Sequence, residues 1–124
     1  MSGHQLQNVT VMVAEDDPLL ADDLLKILSD EGAAVAGPVS SIQAALELLD
    51  HQHPDCAVVN AGIAYETAMR ISKRLRELNI PYLIQSGHSE QKLPEELKGS
   101  RFLAKPIERH RLIESVVAML PDKA

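Results

Sequence analysis

The chain has 124 residues, enough for one domain with a real core and too few for two. Hydrophobic residues make up 45% and charged residues 24%, which excludes a disordered or fibrous protein, and with one Phe, two Tyr and no Trp the core has to be aliphatic. The net charge is −6 and no apolar run approaches the roughly 20 residues of a membrane span, so neither a membrane protein nor a basic nucleic-acid binder is expected.

The opening "MSGHQLQN" has neither the basic start nor the apolar stretch of a secretory signal, and the expected compartment is the cytoplasm. Residues 9–14 form a short, β-branched run that ends in "EDDP". There Asp17 is suited to cap a helix and Pro18 to occupy its first position, whose N–H needs no partner. The helix places Leu20, Leu24, Ile27 and Leu28 on one face and is expected to stop near Gly32. Residues 33–39 read as a weaker strand. Ser41 then caps a helix with Ile42, Ala45, Leu46 and Leu49 at helical spacing.

The segment "PDCAVVNAGI" reads as a third, buried strand over 56–59 that runs out into a loop and delivers Asn60 to its end. Cys56, the single cysteine, excludes an internal disulfide and is expected to pack as a small buried hydrophobe. The next helix puts Ala68, Ile71, Leu75 and Leu78 on one side, while Arg70, Lys73, Arg74 and Arg76 read as its solvated face, which leaves DNA binding by this chain alone unsupported. "PYLIQ" gives a fourth strand and "RFLA" a fifth, with "LPEEL" between them allowing only a short helix. A last helix carries Ile113, Val116, Val117 and Leu120 on its stripe and ends before Pro121.

Five successive β-α units whose strands lack polar alternation argue for a doubly wound α/β fold, a parallel sheet covered on both faces. In such sheets ligands bind at the carboxyl ends of the strands. The residues expected there are Glu15, Asp16 and Asp17 after the first strand, Asn60 after the third, Ser86 after the fourth and Lys105 after the fifth. Each has an ordinary structural use, and Asp17 alone could serve as a helix cap. Together, with "KP" after the fifth strand, they form a specific constellation.

On these residues the chain resembles the receiver domain of two-component response regulators, a flavodoxin-like fold with strand order 2-1-3-4-5. The resemblance runs over 9–120, leaving 1–8 as an N-terminal extension and 121–124 as a tail. It implies a magnesium site at Glu15 and Asp16, completed by position 60 and the Gly62 backbone. It also implies phosphoryl contacts from Ser86 and Lys105, a switch aromatic at Phe102, and a cis Lys105–Pro106 bond. Where the family has the phosphoacceptor Asp, this chain has Asn60. A neutral amide oxygen is a poor nucleophile and cannot give the aspartyl phosphate, so no catalytic residue is assigned. With one anionic oxygen lost, magnesium binding is expected to be weak, and Lys105 is free to pair with either acid. The following loop departs too, with Ala64 and Met69 in the region of the family's Pro and Gly, and "IPYLIQSGHSE" is similar to stand-alone alphaproteobacterial receivers at Ser86 and Gly87 but not at Ile84, Gln85 or Ser89.

The expected function is therefore a stand-alone pseudo-receiver, not an enzyme, that signals by protein binding. The implied partners are a histidine kinase, a phosphotransfer protein or another response regulator, and the chain itself is expected as a monomer or weak homodimer. The implied signalling face holds Leu97, Phe102, Arg109 and Leu112, and the helix after "EDDP" is the other docking face. The alternatives are a conventional phosphoacceptor in which Asn60 replaces Asp, and a small-molecule module, against which "EDDP" would repel phosphate without a metal. His51 and His53 alone are too few for zinc, His4, His88 and His110 are scattered, and Ser86 lacks the partners of a catalytic triad.

Overall fold

The computed structural model describes residues 5–87, 90–97 and 100–121, so His4, His88 and Ser89 lie outside the described residues. Five strands, β1 (Thr10–Ala14), β2 (Ala34–Val39), β3 (Cys56–Asn60), β4 (Tyr82–Ser86) and β5 (Arg101–Ala104), pair in parallel in the order β2-β1-β3-β4-β5. Four α-helices connect or follow them: α1 (Pro18–Asp30), α2 (Ile42–His51), α3 (Tyr65–Glu77) and α4 (Arg109–Met119). This is the flavodoxin-like doubly wound order that the resemblance implied.

The side-chain period of two divides each strand between two cores. Met12, Ala14, Val59 and Ile84 meet the α2 and α3 side with Ala45, Leu49, Ile71 and Leu75. Val11, Val13, Val58 and Leu83 meet the α1 and α4 side with Leu24, Leu28, Leu112 and Val116. The predicted caps form: Asp17 accepts the N–H groups of Leu19 and Leu20, and Ser41 accepts that of Ala44. Gly37 has φ +104°, and a Cβ there would stand 2.8 Å from the Val13 carbonyl oxygen, so the β2 backbone runs against β1 as only glycine allows.

Two expectations are corrected. Between β4 and β5 the described residues form two 3-10 turns, Glu90–Lys92 and Glu95–Leu97, and no α-helix, so four α-helices rather than five are found among the described residues. Pro94 accounts for this locally, because its missing N–H stops a helix from running from Glu90–Lys92 into Glu95–Leu97, and neither piece is long enough to nucleate on its own. Val117 is exposed, and Leu112 and Met119 fill the α4 stripe in its place. Within the expected N-terminal extension, Leu6 is fully buried in the α1 and α4 core and its N–H donates to the Glu31 carbonyl at 2.9 Å.

Candidate functional site

The parallel register aligns the strand ends. Ala14 pairs with Val59, Asn60 with Gln85, and Ser86 with Ala104, so Glu15, Asn60, Ser86 and Lys105 arrive at one edge. Lys105 is tied to β4 by its own N–H, which donates to the Ser86 carbonyl at 2.8 Å, and its bond to Pro106 is cis, as the resemblance implied.

Glu15 is the centre of this edge. It is 2% exposed, and a carboxylate removed from water in this way has to be matched by donors or a cation. Asn60 Nδ2 donates to its Oε2 at 2.7 Å, and the Asp17 N–H reaches the same oxygen at 3.1 Å. Gln85 Nε2 donates to Oε1 at 3.2 Å, and Lys105 Nζ lies 3.6 Å from that oxygen. The amide of Asn60 has only one workable orientation: its Oδ1 accepts the Gly62 N–H at 2.9 Å, which turns Nδ2 toward the acid. Asp16 is exposed and stands apart from this cage, so of the two acids it is Glu15 that pairs with Lys105.

Magnesium prefers an octahedron of carboxylate, carbonyl and water oxygens. Here both oxygens of Glu15 face hydrogen donors, Asn60 presents an NH2 group to the acid, and no group of three His, Cys, Asp or Glu able to hold a metal occurs among the described residues. As arranged, the residues do not fit the cation. Gly62 enters the site through its N–H, given to Asn60.

Gln85 escaped the sequence reading as a site residue, although one polar side chain in the otherwise apolar "YLI" run was a signal that it faces something polar. It is fully buried beside Asn60, and its Oε1 has no partner among the described residues. Ser86 is buried at the end of β4, and Phe102 is half-buried against the α2 and α3 core.

Two of the residues expected on the signalling face are not at the surface. Leu97 is 1% exposed in the α2 and α3 core, and Leu112 is fully buried in the α1 and α4 core. Their apolar side chains pack on opposite sides of the sheet and cannot meet one partner. Arg109 is exposed, and its guanidinium lies 3.2 Å from Asp30 and 3.7 Å from Glu31, so it ties α4 to the end of α1. The Cys56 thiol, as expected, is buried; burial and, secondly, the Asp55 carboxylate push its pKa up to about 12.

A five-stranded 2-1-3-4-5 sheet with acid, hydroxyl and lysine at its carboxyl edge defines a doubly wound α/β protein of the flavodoxin-like class. The response regulator receiver domain family model matches residues 11–117, and the chain belongs to that family. It is 24% identical over 110 residues to the transcriptional regulatory protein PdtaR of Mycobacterium tuberculosis, an alignment covering 86% of this chain and 54% of that protein. The chain thus spans about half the length of that curated relative. Among solved structures it is similar to the receiver domain of the Francisella response regulator 1452 (28% identity, TM-score 0.75, 90% of this chain and 96% of that one). A response regulator receiver protein from Sinorhizobium medicae is comparably similar (28% identity, TM-score 0.74, 90% and 93%). Receiver domains are signalling modules that interact with histidine kinases, phosphotransfer proteins and other regulators. No helix among the described residues is long and apolar enough to cross a membrane.

Proposed function

We propose that this chain is a pseudo-receiver, which signals by protein binding and takes no phosphoryl group at the usual position. The observation that carries the reading is the Asn60 amide, which stands at the end of β3 and is bonded through both of its polar atoms. Its nitrogen holds Glu15 and its oxygen holds the Gly62 N–H, so neither is offered to a phosphoryl donor, and an amide is a poor nucleophile in any case. Lys105 and the two side-chain amides do the charge balancing that a cation would otherwise perform, so the loops keep one arrangement without magnesium or phosphate.

The docking face supported best is the start of α1, where Leu19 is 76% exposed one turn from the Glu15 cage. A kinase or phosphotransfer protein that binds receivers there would be occupied without transferring its phosphoryl group, and a phosphorylatable receiver would have to compete. The reading concerns this module and does not depend on what accompanies it.

The test is intact mass after incubation with magnesium and a small phosphoryl donor, run on the chain and on Asn60→Asp. The parent should stay unmodified while the variant gains one phosphoryl group. A phosphoryl adduct on the parent would overturn the proposal in favour of a conventional phosphoacceptor with another acceptor side chain.

A further inference from the structure

A cavity of about 280 Å³ opens between α1 and the segment joining β5 to α4, and it shares Gln85 and Lys105 with the Glu15 cage. Its lining changes in character with depth. The floor is Leu24, 3% exposed, and Gln85, fully buried; half-buried Leu20, Ile27 and Ile107 form the walls; Lys26, Asp23 and Arg109 are exposed at the rim. Lys105 lines it as well, half-buried.

Two features at opposite ends are left over once the rest of the molecule is accounted for. At the floor, Gln85 spends its NH2 on Glu15 while its Oε1 is buried without a partner among the described residues. The amide cannot be turned to relieve this, because its oxygen would then face the carboxylate. A buried acceptor left unmatched destabilises the free protein, so a donor delivered there is rewarded. At the rim, the cations outnumber the single acid Asp23 in a chain whose net charge is −6. Arg109 is shared with Asp30 and Glu31, and Lys105 with Glu15, whereas Lys26 has no ion-pair partner among the described residues.

We infer that this cavity is a binding site for a small amphipathic carboxylic acid with a hydroxyl or N–H donor at its far end. The donor seats deep and meets Gln85, the apolar middle packs on Leu20, Leu24, Ile27 and Ile107, and the carboxylate stays at the rim beside Lys26. Because Gln85 lines the cavity while being fully buried, the leading group must be small, which favours a hydroxyl over a bulky head. The volume sits just under the ~300 Å³ lower end of small-molecule sites, room for one ring and a short tail. The inference is independent of the pseudo-receiver reading, because it uses neither Asn60 nor phosphorylation.

The test titrates three probes into the full chain and follows amide signals by NMR. The probes are para-hydroxyphenylacetate, phenylacetate, which lacks the donor, and tyrosol, which lacks the charge. The hydroxy acid should bind at about 1 mM or tighter and shift the Gln85 side-chain NH2, Leu24 and Ile107, with each of the other two roughly fivefold weaker. Gln85→Leu should reduce the hydroxy acid to the level of phenylacetate. Lys26→Glu, at an exposed position where the fold is retained, should weaken both acids and leave tyrosol unchanged. Equal binding of all three probes, shifts confined to other parts of the molecule, or no shift with any probe at about 10 mM would overturn the inference. In the last case the Gln85 carbonyl is simply hydrated, or the groove serves a protein partner.

Discussion

Asn60 Nδ2 sits 2.7 Å from Glu15 Oε2, a charge-assisted hydrogen bond in the place where two carboxylates would otherwise face each other. The amide thereby converts a repulsive pair into an attractive one without any ion. Asn60→Asp restores the repulsion: two unit charges ~3 Å apart at an effective dielectric of ~20 repel by about 5 kcal/mol before relaxation. The variant should lose about 2–4 kcal/mol in denaturant melts without metal, and magnesium should return a large part of it. The parent should melt at the same point with and without magnesium; an equal metal-induced rise in both proteins would contradict the cage described here.

The same contact can be tested by exchange. Glu15→Gln removes the buried charge and leaves Lys105 without its counter-ion, at an expected cost of about 2–3 kcal/mol. The double variant Glu15→Gln with Asn60→Asp puts an amide and a carboxylate back within bonding distance in reversed order. It should be more stable than the sum of the two single losses by at least about 1 kcal/mol, a coupling read directly from a double-mutant cycle. Strict additivity would mean that the two residues do not interact in solution.

The fold was legible because its signals were local and redundant: Asp17 and Pro18 at one helix start, Ser41 at another, and strands without alternation. The composition of the edge was legible too, since strand ends in a parallel sheet must share one rim. Two things were not. The burial of Leu97 and Leu112 on opposite sides of the sheet depends on which way each element faces, and helical spacing alone does not tell the two layers apart. The role of Gln85 depends on cross-strand register with Asn60, which no one-dimensional pattern contains. Leu6 escaped as well, because a lone Leu among polar residues carries no period.

Ser72 lies on α3 with 0% exposure, and its hydroxyl has no hydrogen-bond partner among the described residues. Ser72→Ala removes an unmatched polar group and adds a better helix former. It should stabilise the protein by about 1 kcal/mol, seen as a shift of the denaturant midpoint at unchanged slope. A loss of stability would mean that the hydroxyl is satisfied in solution by a water or a backbone carbonyl.

Gly37 combines φ +104° with a Cβ position 2.8 Å from the Val13 oxygen and 2.9 Å from the Val39 nitrogen. Both contacts are to backbone, so no side chain can swing away to make room. Gly37→Ala should cost about 2–3 kcal/mol by equilibrium unfolding, whereas Gly87→Ala, where a Cβ meets nothing within 4 Å, should cost far less. Comparable losses at the two sites would remove the close approach of β2 to β1 as the cause.

Cys56 carries a pH dependence whose sign follows from its burial. The thiol has an ordinary value of 9.0 in the unfolded chain and about 12 in the fold, raised by desolvation first and by Asp55 second. Below pH 9 both states hold the proton and the group contributes no slope. Between the two values the unfolded state releases its proton while the native state keeps it, so stability falls as pH rises, by about 1.4 kcal/mol per pH unit. Lysines and tyrosines titrate in the same range, and the comparison that isolates the thiol is with Cys56→Ala. From pH 9 to 10.5 the parent should lose about 2 kcal/mol more than the variant in matched urea melts, whatever their difference at neutral pH. In the native protein the thiol should also resist alkylation at pH 8 and react only on unfolding, because the thiolate is the nucleophile and burial suppresses it. Parallel pH profiles for parent and variant would show that the thiol titrates alike in both states, and with it that β3 is open to solvent at its start.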